Sequence, residues 1–352
     1  MLMSNNISQL DDKKLAAYLQ SHATDFNNID FSGGIKLAKF DDGQSNPTYK
    51  LETATAQYVL RKQPPGKLLK SAHAVDREFR ILKALEDTDV PVAKVYHLCE
   101  DTEVIGSMFY VMEFVEGRVF WDASLPEIDN KEERKVMYEE INRVLAAIHS
   151  VDLKKHKLED YGKPGNYFER QLSRWTKQYR LSETRTIPEM NQLIEWLEKN
   201  LPEDDGSVSI VHGDYRFDNV IFHPTEPRII AVLDWELSTL GHPLADVSYQ
   251  CMQLRLPPVF GKAKGLLGVD RDSLGIPNEE EFVAFYSKLM GLKDIPNFAF
   301  YLAFSFFRLG AIVQGVLKRA EEGNASNKQA LELNELMDPL ANYALDVIKE
   351  DA

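Results

Sequence analysis

Three oxygen-bearing side chains define the chemistry open to this sequence. In SIVHGDYRFDNVIFHPTEPRIIAVLDWE, residues 209–236, an apolar run delivers His212-Gly213-Asp214, and Asn219 follows five residues after the aspartate. A second apolar run then ends on Asp234. Asp214 and Asn219 bracket one loop, and Asp234 arrives at the end of an adjacent strand, so the pattern brings two carboxylates and an amide toward one point. Such oxygens are the ligands and acceptors that a hard cation such as Mg²⁺ prefers.

Around this stretch the chain must supply a frame. Residues 8–21 predict a short amphipathic helix, with Leu10, Leu15, Tyr18 and Leu19 on or near one face. Strand-like runs follow at 35–40, 47–53 and 57–62, separated by DDGQSN and a small-residue turn at 54–56. Residues 71–85 predict a helix with Val75, Phe79, Leu82 and Leu85 spaced for one buried face. Two more strands are expected near 94–99 and 108–115. Three strands, a helix and two strands predict a small antiparallel sheet with one packed helix. Beyond Glu116-Gly117 the texture is helical, at 131–150, 166–180, 188–200, 243–253, 279–291, 298–321 and 327–349. Short strands near 207–211, 220–222 and 228–233 interrupt it and carry the motif. A lobe boundary is expected near 115–117, with no long linker, dividing the chain into 1–115 and 116–352.

HGDxxxxN framed by apolar strands and followed by a strand ending in Asp-Trp-Glu resembles the catalytic loop and metal-binding strand of the aminoglycoside phosphotransferase and choline kinase branch of the protein-kinase-like superfamily. The resemblance implies an α+β, two-lobed protein-kinase-like fold. Its small antiparallel-sheet N-lobe would bind nucleotide, and its mainly helical C-lobe would carry catalysis and substrate binding. It also implies phosphoryl transfer from ATP, with Mg²⁺, to a small-molecule hydroxyl. In that template Asp214 accepts the hydroxyl proton, Asn219 and Asp234 hold the metal, and His212 braces the loop.

The same template extends upstream. DDGQSNPTY takes the place of the nucleotide-covering loop, where Gly43, Gln44, Ser45 and Asn46 would offer backbone N–H groups to phosphate. It is not a GxGxxG loop. Arg61, in YVLRKQPPG, stands where such enzymes usually carry a lysine, with Lys62 on the opposite strand face. Glu78, on the following helix, is its expected partner. Met112 would pack behind adenine, and the backbone near Glu113 and Val115 would hydrogen-bond it.

GQSNPTY, VLRKQPPGKLLKSAHAVDREFRIL, MEFVEGRVFWD and LDWELSTLGHPLADVSY further resemble the kinase-like domains associated with acyl-CoA dehydrogenases. That branch implies the hydroxyl of a 4-hydroxyacyl-CoA thioester as acceptor, and a structural role for Asp246 bracing the catalytic loop. Aminoglycoside phosphorylation and a nucleotide-binding module without transfer activity stay open as alternatives. Arg170, Arg174, Lys177 and Arg180, interleaved with aromatics at 166–180, together with Lys67, Lys70 and Arg77, would suit an anionic substrate.

The totals narrow the partners. A net charge of −14 over 352 residues argues against a nucleic-acid binder, which needs a basic surface. The apolar stretch at 298–316 is interrupted by Ser305, Arg308 and Gln314, and is expected to be a buried helix rather than a membrane span. No basic-then-apolar leader opens the sequence, and Cys99 and Cys251 form no ligand pattern, so a cytoplasmic setting with two core thiols is expected. Nothing in the residue pattern sets an oligomeric state.

Overall fold

The structure, a computed structural model, describes residues 3–7, 10–40, 46–64, 73–163, 165–258, 264–322 and 336–350. The chain forms two compact units. The first comprises Met1–Val119, Lys154–Leu158 and Asp218–Leu237; the second comprises Phe120–Leu153, Glu159–Phe217 and Ser238–Ala352.

The first unit is built on a six-stranded antiparallel sheet. Its strands are β1 (Met3–Ile7), β2 (Lys36–Phe40), β3 (Thr48–Glu52), β4 (Gln57–Lys62), β5 (Val95–Cys99) and β6 (Phe109–Glu113), in the order β1-β2-β3-β4-β6-β5. Alternation along β4 decides what each face does. Leu60 and Tyr58 enter a core with Leu51, Phe109 and Val111, closed by Leu15 and Leu19 of α1 (Asp12–Ser21) and by Phe26 and Phe31. On the other face α2 (Val75–Leu85) buries Val75, Ile81, Leu82 and Leu85, and Phe79 meets the ring of Tyr110 edge-on at 6.2 Å. α2 begins four residues later than the predicted 71–85, residues 71 and 72 lying outside the described set.

β1 was not expected. Its MSNNI sequence has no apolar alternation, so only pairing with β2 defines it as a strand. The two-stranded sheet of β7 (Ser209–Val211) with β10 (Thr239–Gly241) also contains an unexpected member, because β10 is three residues long with a terminal glycine. Between them in the chain, β8 (Val220–Phe222) pairs with β9 (Ile229–Val232) as a hairpin.

That hairpin explains why residues 218–237 belong to the first unit, although the sequence assigns everything after 116 to one lobe. Arg118 and Phe222 exchange two backbone hydrogen bonds of 2.8 Å, and the Val232 N–H donates to Pro91 O at 2.8 Å. These contacts tie the hairpin to segments that precede residue 120. A single cut along the chain cannot describe such a return.

The second unit is helical. Its helices are α3 (Lys131–His149), α4 (Tyr167–Ser182), α5 (Pro188–Lys199), α6 (Leu244–Arg255), the short α7 (Arg271–Leu274), α8 (Glu279–Met290), α9 (Phe298–Glu321) and α10 (Met337–Glu350). α9 is long and apolar enough to cross a membrane, yet 78% of its most apolar stretch is buried inside the unit. It packs against α4, α5, α6 and α10, as expected of a core helix. Residues 327–335 of the last predicted helix lie outside the described set. Both cysteines are free and buried.

Candidate active site

In the first unit the site grows from β4. Register places Arg61 opposite Tyr110 and Val59 opposite Met112, so these four side chains share the sheet face covered by α2. Glu78, in the first turn of α2 and 2% exposed, meets Arg61 there: Nε lies 2.8 Å from Oε2, and Nη2 donates to Oε1 at 3.1 Å. Arg61 Nη2 also donates to Asp234 Oδ1 at 2.6 Å and lies 3.6 Å from Glu236 Oε2. The Tyr110 hydroxyl donates to Glu78 Oε2 at 3.0 Å.

Electrostatics follow from burial and pairing. Burial works against the Arg61 charge, but Glu78, Tyr110, Asp234 and Glu236 outweigh it and hold the guanidinium firmly protonated. Burial raises the Glu78 carboxyl above its usual range, with Arg61 pulling the other way. Lys62, on the opposite face as expected, is buried, and burial lowers its pKa.

Asn46 is drawn into the same cluster. It is 1% exposed, and its amide donates to Glu78 Oε1 at 3.1 Å and to Glu236 Oε2 at 3.4 Å, while its Oδ1 lies 3.0 Å from His73 Nδ1. The side chain therefore organises the acidic cluster, a role beyond the backbone contact expected of it. Gly43, Gln44 and Ser45 lie outside the described residues, as do Lys67 and Lys70.

Asn219 and Asp234 meet through the β8–β9 hairpin. Val220 pairs with Val232, and the Leu233 N–H donates to Asn219 O at 2.8 Å, so both residues stand at the same end of the hairpin. Asp234 leaves β9 with φ of 62°, a left-handed turn that redirects the chain at that carboxylate. Glu78, Asp234 and Glu236 each bring an oxygen within 4.8 Å of the others. These carboxylates converge on the Arg61 guanidinium, and their oxygens, with Asn219 on the same hairpin end, are of the hard kind that suits Mg²⁺.

At the far end of β6, Met112 is half-buried on the Arg61 face and Glu113 is exposed. The Glu113 N–H donates to Lys94 O at 2.8 Å. That donor is committed to the sheet.

The second unit holds Asp214. β7 delivers it, and buried Asp246 on α6 fixes the loop: Oδ2 accepts the His212 N–H at 2.7 Å, and Oδ1 accepts the Gly213 N–H at 2.8 Å. Gly213 turns with φ of +85°, which a side chain resists. His149 Nε2 lies 3.4 Å from Asp246 Oδ2 and Tyr286 Oη lies 2.6 Å from His149 Nδ1. Burial would raise the Asp246 pKa, but His149, His212 and the Gly213 N–H overcome it and hold the carboxyl below its usual value. Fully buried His212 accepts the Asp214 N–H on Nδ1 at 3.2 Å, the bracing role expected of it.

The Asp214 carboxylate receives the Tyr249 hydroxyl on Oδ1 at 2.6 Å, and Arg216 Nε lies 3.4 Å from the same oxygen. Arg308 Nη2 donates to Gly213 O at 2.8 Å. Tyr249 and Glu236 escaped the sequence argument, although signals existed. Tyr249 stands three positions after Asp246 on one helix face, and Glu236 stands two after Asp234. Of the basic residues on α4, Arg170 binds the carbonyls of Lys163 and Gly165, and Arg180 binds Glu183 and Asn191. These two serve local structure; Arg174 lies over the Trp175 ring at 5.4 Å. Gln314, 1% exposed, bonds Ser182 and Thr184 and is structural.

Residues 36–266 match the family described as Phosphotransferase enzyme family. The chain is 48% identical over 335 residues to mouse acyl-CoA dehydrogenase family member 10, covering 95% of this chain but 30% of that protein. It thus spans less than half the length of this relative. Among solved structures, a Ralstonia eutropha JMP134 protein assigned by name to the aminoglycoside phosphotransferases is 48% identical, with a TM-score of 0.87 over 97% of this chain and 99% of its own. The spectinomycin phosphotransferase APH(9)-Ia, solved with ADP and spectinomycin, shares the fold at 12% identity, with a TM-score of 0.63 over 97% of this chain and 99% of its own. The chain belongs to the phosphotransferase enzyme family and has its two-lobed, protein-kinase-like fold.

Proposed function

We propose that this chain transfers the γ-phosphoryl group of ATP to the hydroxyl of a small molecule, with Asp214 as the base. The observation that carries the reading is the Arg61–Glu78 ion pair with Asp234 at 2.6 Å from Arg61, which parallels the cation–glutamate pair and nearby metal-binding aspartate of kinase-like phosphotransferases. In this reading Arg61 contacts the nucleotide phosphates and Glu78 holds it in place. Val59 and Met112 offer an apolar surface to adenine, and the Glu113 and Val115 backbone meets its edge. Asn219 and Asp234 would hold Mg²⁺, which supplies neutralisation of the charge developing on the phosphates. Asp214 orients the acceptor hydroxyl and takes its proton. ATP is also supported by the ADP bound to APH(9)-Ia.

For the acceptor we favour the hydroxyl of a 4-hydroxyacyl-CoA. Support comes from 48% identity to a protein named as an acyl-CoA dehydrogenase family member. The equally similar relative named as an aminoglycoside phosphotransferase supports the second reading. ATP turnover measured with 4-hydroxyacyl-CoA, choline-like alcohols and aminoglycosides separates them. Stimulation by the hydroxylated thioester and not by the same thioester lacking the hydroxyl is expected. Stimulation by aminoglycosides alone, with raised resistance on overexpression, would transfer the assignment. Asp214→Asn should lower kcat about 10²–10⁴-fold and leave ATP affinity unchanged; a fully active variant removes Asp214 from the role.

A further inference from the structure

The backbone of the His212–Asp214 loop is fixed from below by Asp246, but that does not set the rotation of the Asp214 carboxylate. Tyr249 does so. Its hydroxyl donates to Oδ1 at 2.6 Å from α6, the helix that also carries Asp246. The ring is 8% exposed, and the Arg308 guanidinium covers it at 5.6 Å while donating to Gly213 O at 2.8 Å. α6 and α9 therefore grip the loop together, one by the side chain of Asp214 and the other by the peptide before it. Arg216 Nε also lies 3.4 Å from Oδ1. Burial and the neighbouring Asp214 raise the Tyr249 pKa, so the phenol stays a donor.

We propose that Tyr249 is a positioning residue for the base, pinning Oδ1 so that the carboxylate presents its other oxygen in one orientation. The proposal rests on Asp214 as proton acceptor. In the transfer the acceptor O–H gives its proton to Asp214, and the acceptor oxygen bonds to the γ-phosphorus. The bond from that phosphorus to the β–γ bridging oxygen breaks, and ADP leaves with its electron pair. Tyr249 keeps its own proton throughout. Its contribution is alignment, of the kind that a pre-organised hydrogen bond to a charged group supplies.

Tyr249→Phe preserves the ring beneath Arg308 and removes only the hydroxyl. Turnover of ATP, followed as ADP release with 4-hydroxyacyl-CoA and in parallel with water as acceptor, should show kcat lowered about 10- to 100-fold. KM for ATP and the thermal midpoint should stay unchanged. Placed in an Asp214→Asn background, the same substitution should add no further loss, because the tyrosine acts only through that carboxylate. Unchanged kcat in Tyr249→Phe beside an inactive Asp214→Asn overturns the tyrosine's role and leaves the base in place. A drop in kcat accompanied by a lower thermal midpoint and raised KM for ATP also overturns it, since that is a structural defect. Full activity of Asp214→Asn would instead overturn the base assignment.

Discussion

At position 61 one planar guanidinium reaches two carboxylates on different elements, with Nε 2.8 Å from Glu78 and Nη2 2.6 Å from Asp234. A lysine ammonium is a compact point charge and cannot hold that fork geometry. The departure from the usual lysine thus has a structural counterpart: Asn46 and Glu236 complete a polar set shaped for the wider head group. Arg61→Lys should therefore lower kcat/KM for ATP about tenfold, through loss of one of the two contacts. Steady-state kinetics at varied ATP check this, and an unchanged ratio would mean that the fork is not used. The family resemblance pointed to Arg61 and its partner Glu78, and strand alternation placed Lys62 on the opposite face. Neither could find Glu236 or the side-chain role of Asn46, whose partners stand 190 and 32 residues away.

The β8–β9 hairpin is the element that brings the two expected metal ligands together, and its seat is narrow. A Cβ at Gly117 would lie 2.3 Å from the Phe222 carbonyl oxygen and 2.4 Å from Ile221 Cγ2. Gly117→Ala must displace the hairpin or break the Arg118–Phe222 pairing, and should destabilise the chain by about 1–3 kcal/mol. If Asn219 and Asp234 hold Mg²⁺, the Mg²⁺ concentration for half-maximal activity should rise as well. Titrating Mg²⁺ in the variant tests the coupling, and an unshifted midpoint separates the hairpin's seat from metal binding. At this scale long periodic segments and the short apolar runs of β7, β8 and β9 were legible, and short segments without an apolar run were not. β10 and α7, three and four residues long, carry too few side chains to show a period.

Across the whole molecule, fully buried Asp246 links acid stability to the loop it braces. Its folded-state pKa lies below the usual 3.8, so its contribution is present at neutral pH and is lost as pH falls below that value toward the lower folded one. Asp246→Ala should cost about 1–3 kcal/mol for each backbone N–H it orphans at pH 7. Denaturant unfolding should show the gap to wild type closing on acidification below pH 3.8; a gap independent of pH would mean that charge plays no part. The sequence by itself singled out Asp214, Asn219 and Asp234 by their residue types and spacing, and the sheet-then-helix order by local periodicity, while the Arg61–Glu78 pairing came from the family resemblance its motifs carry. Only the tertiary structure decided that residues 218–237 join the first unit, that Asn46 and Glu236 complete the Arg61 cluster, and that Tyr249 and Arg308 grip the Asp214 loop. Those contacts join segments far apart in the chain, and no repeat of short spacing can encode them.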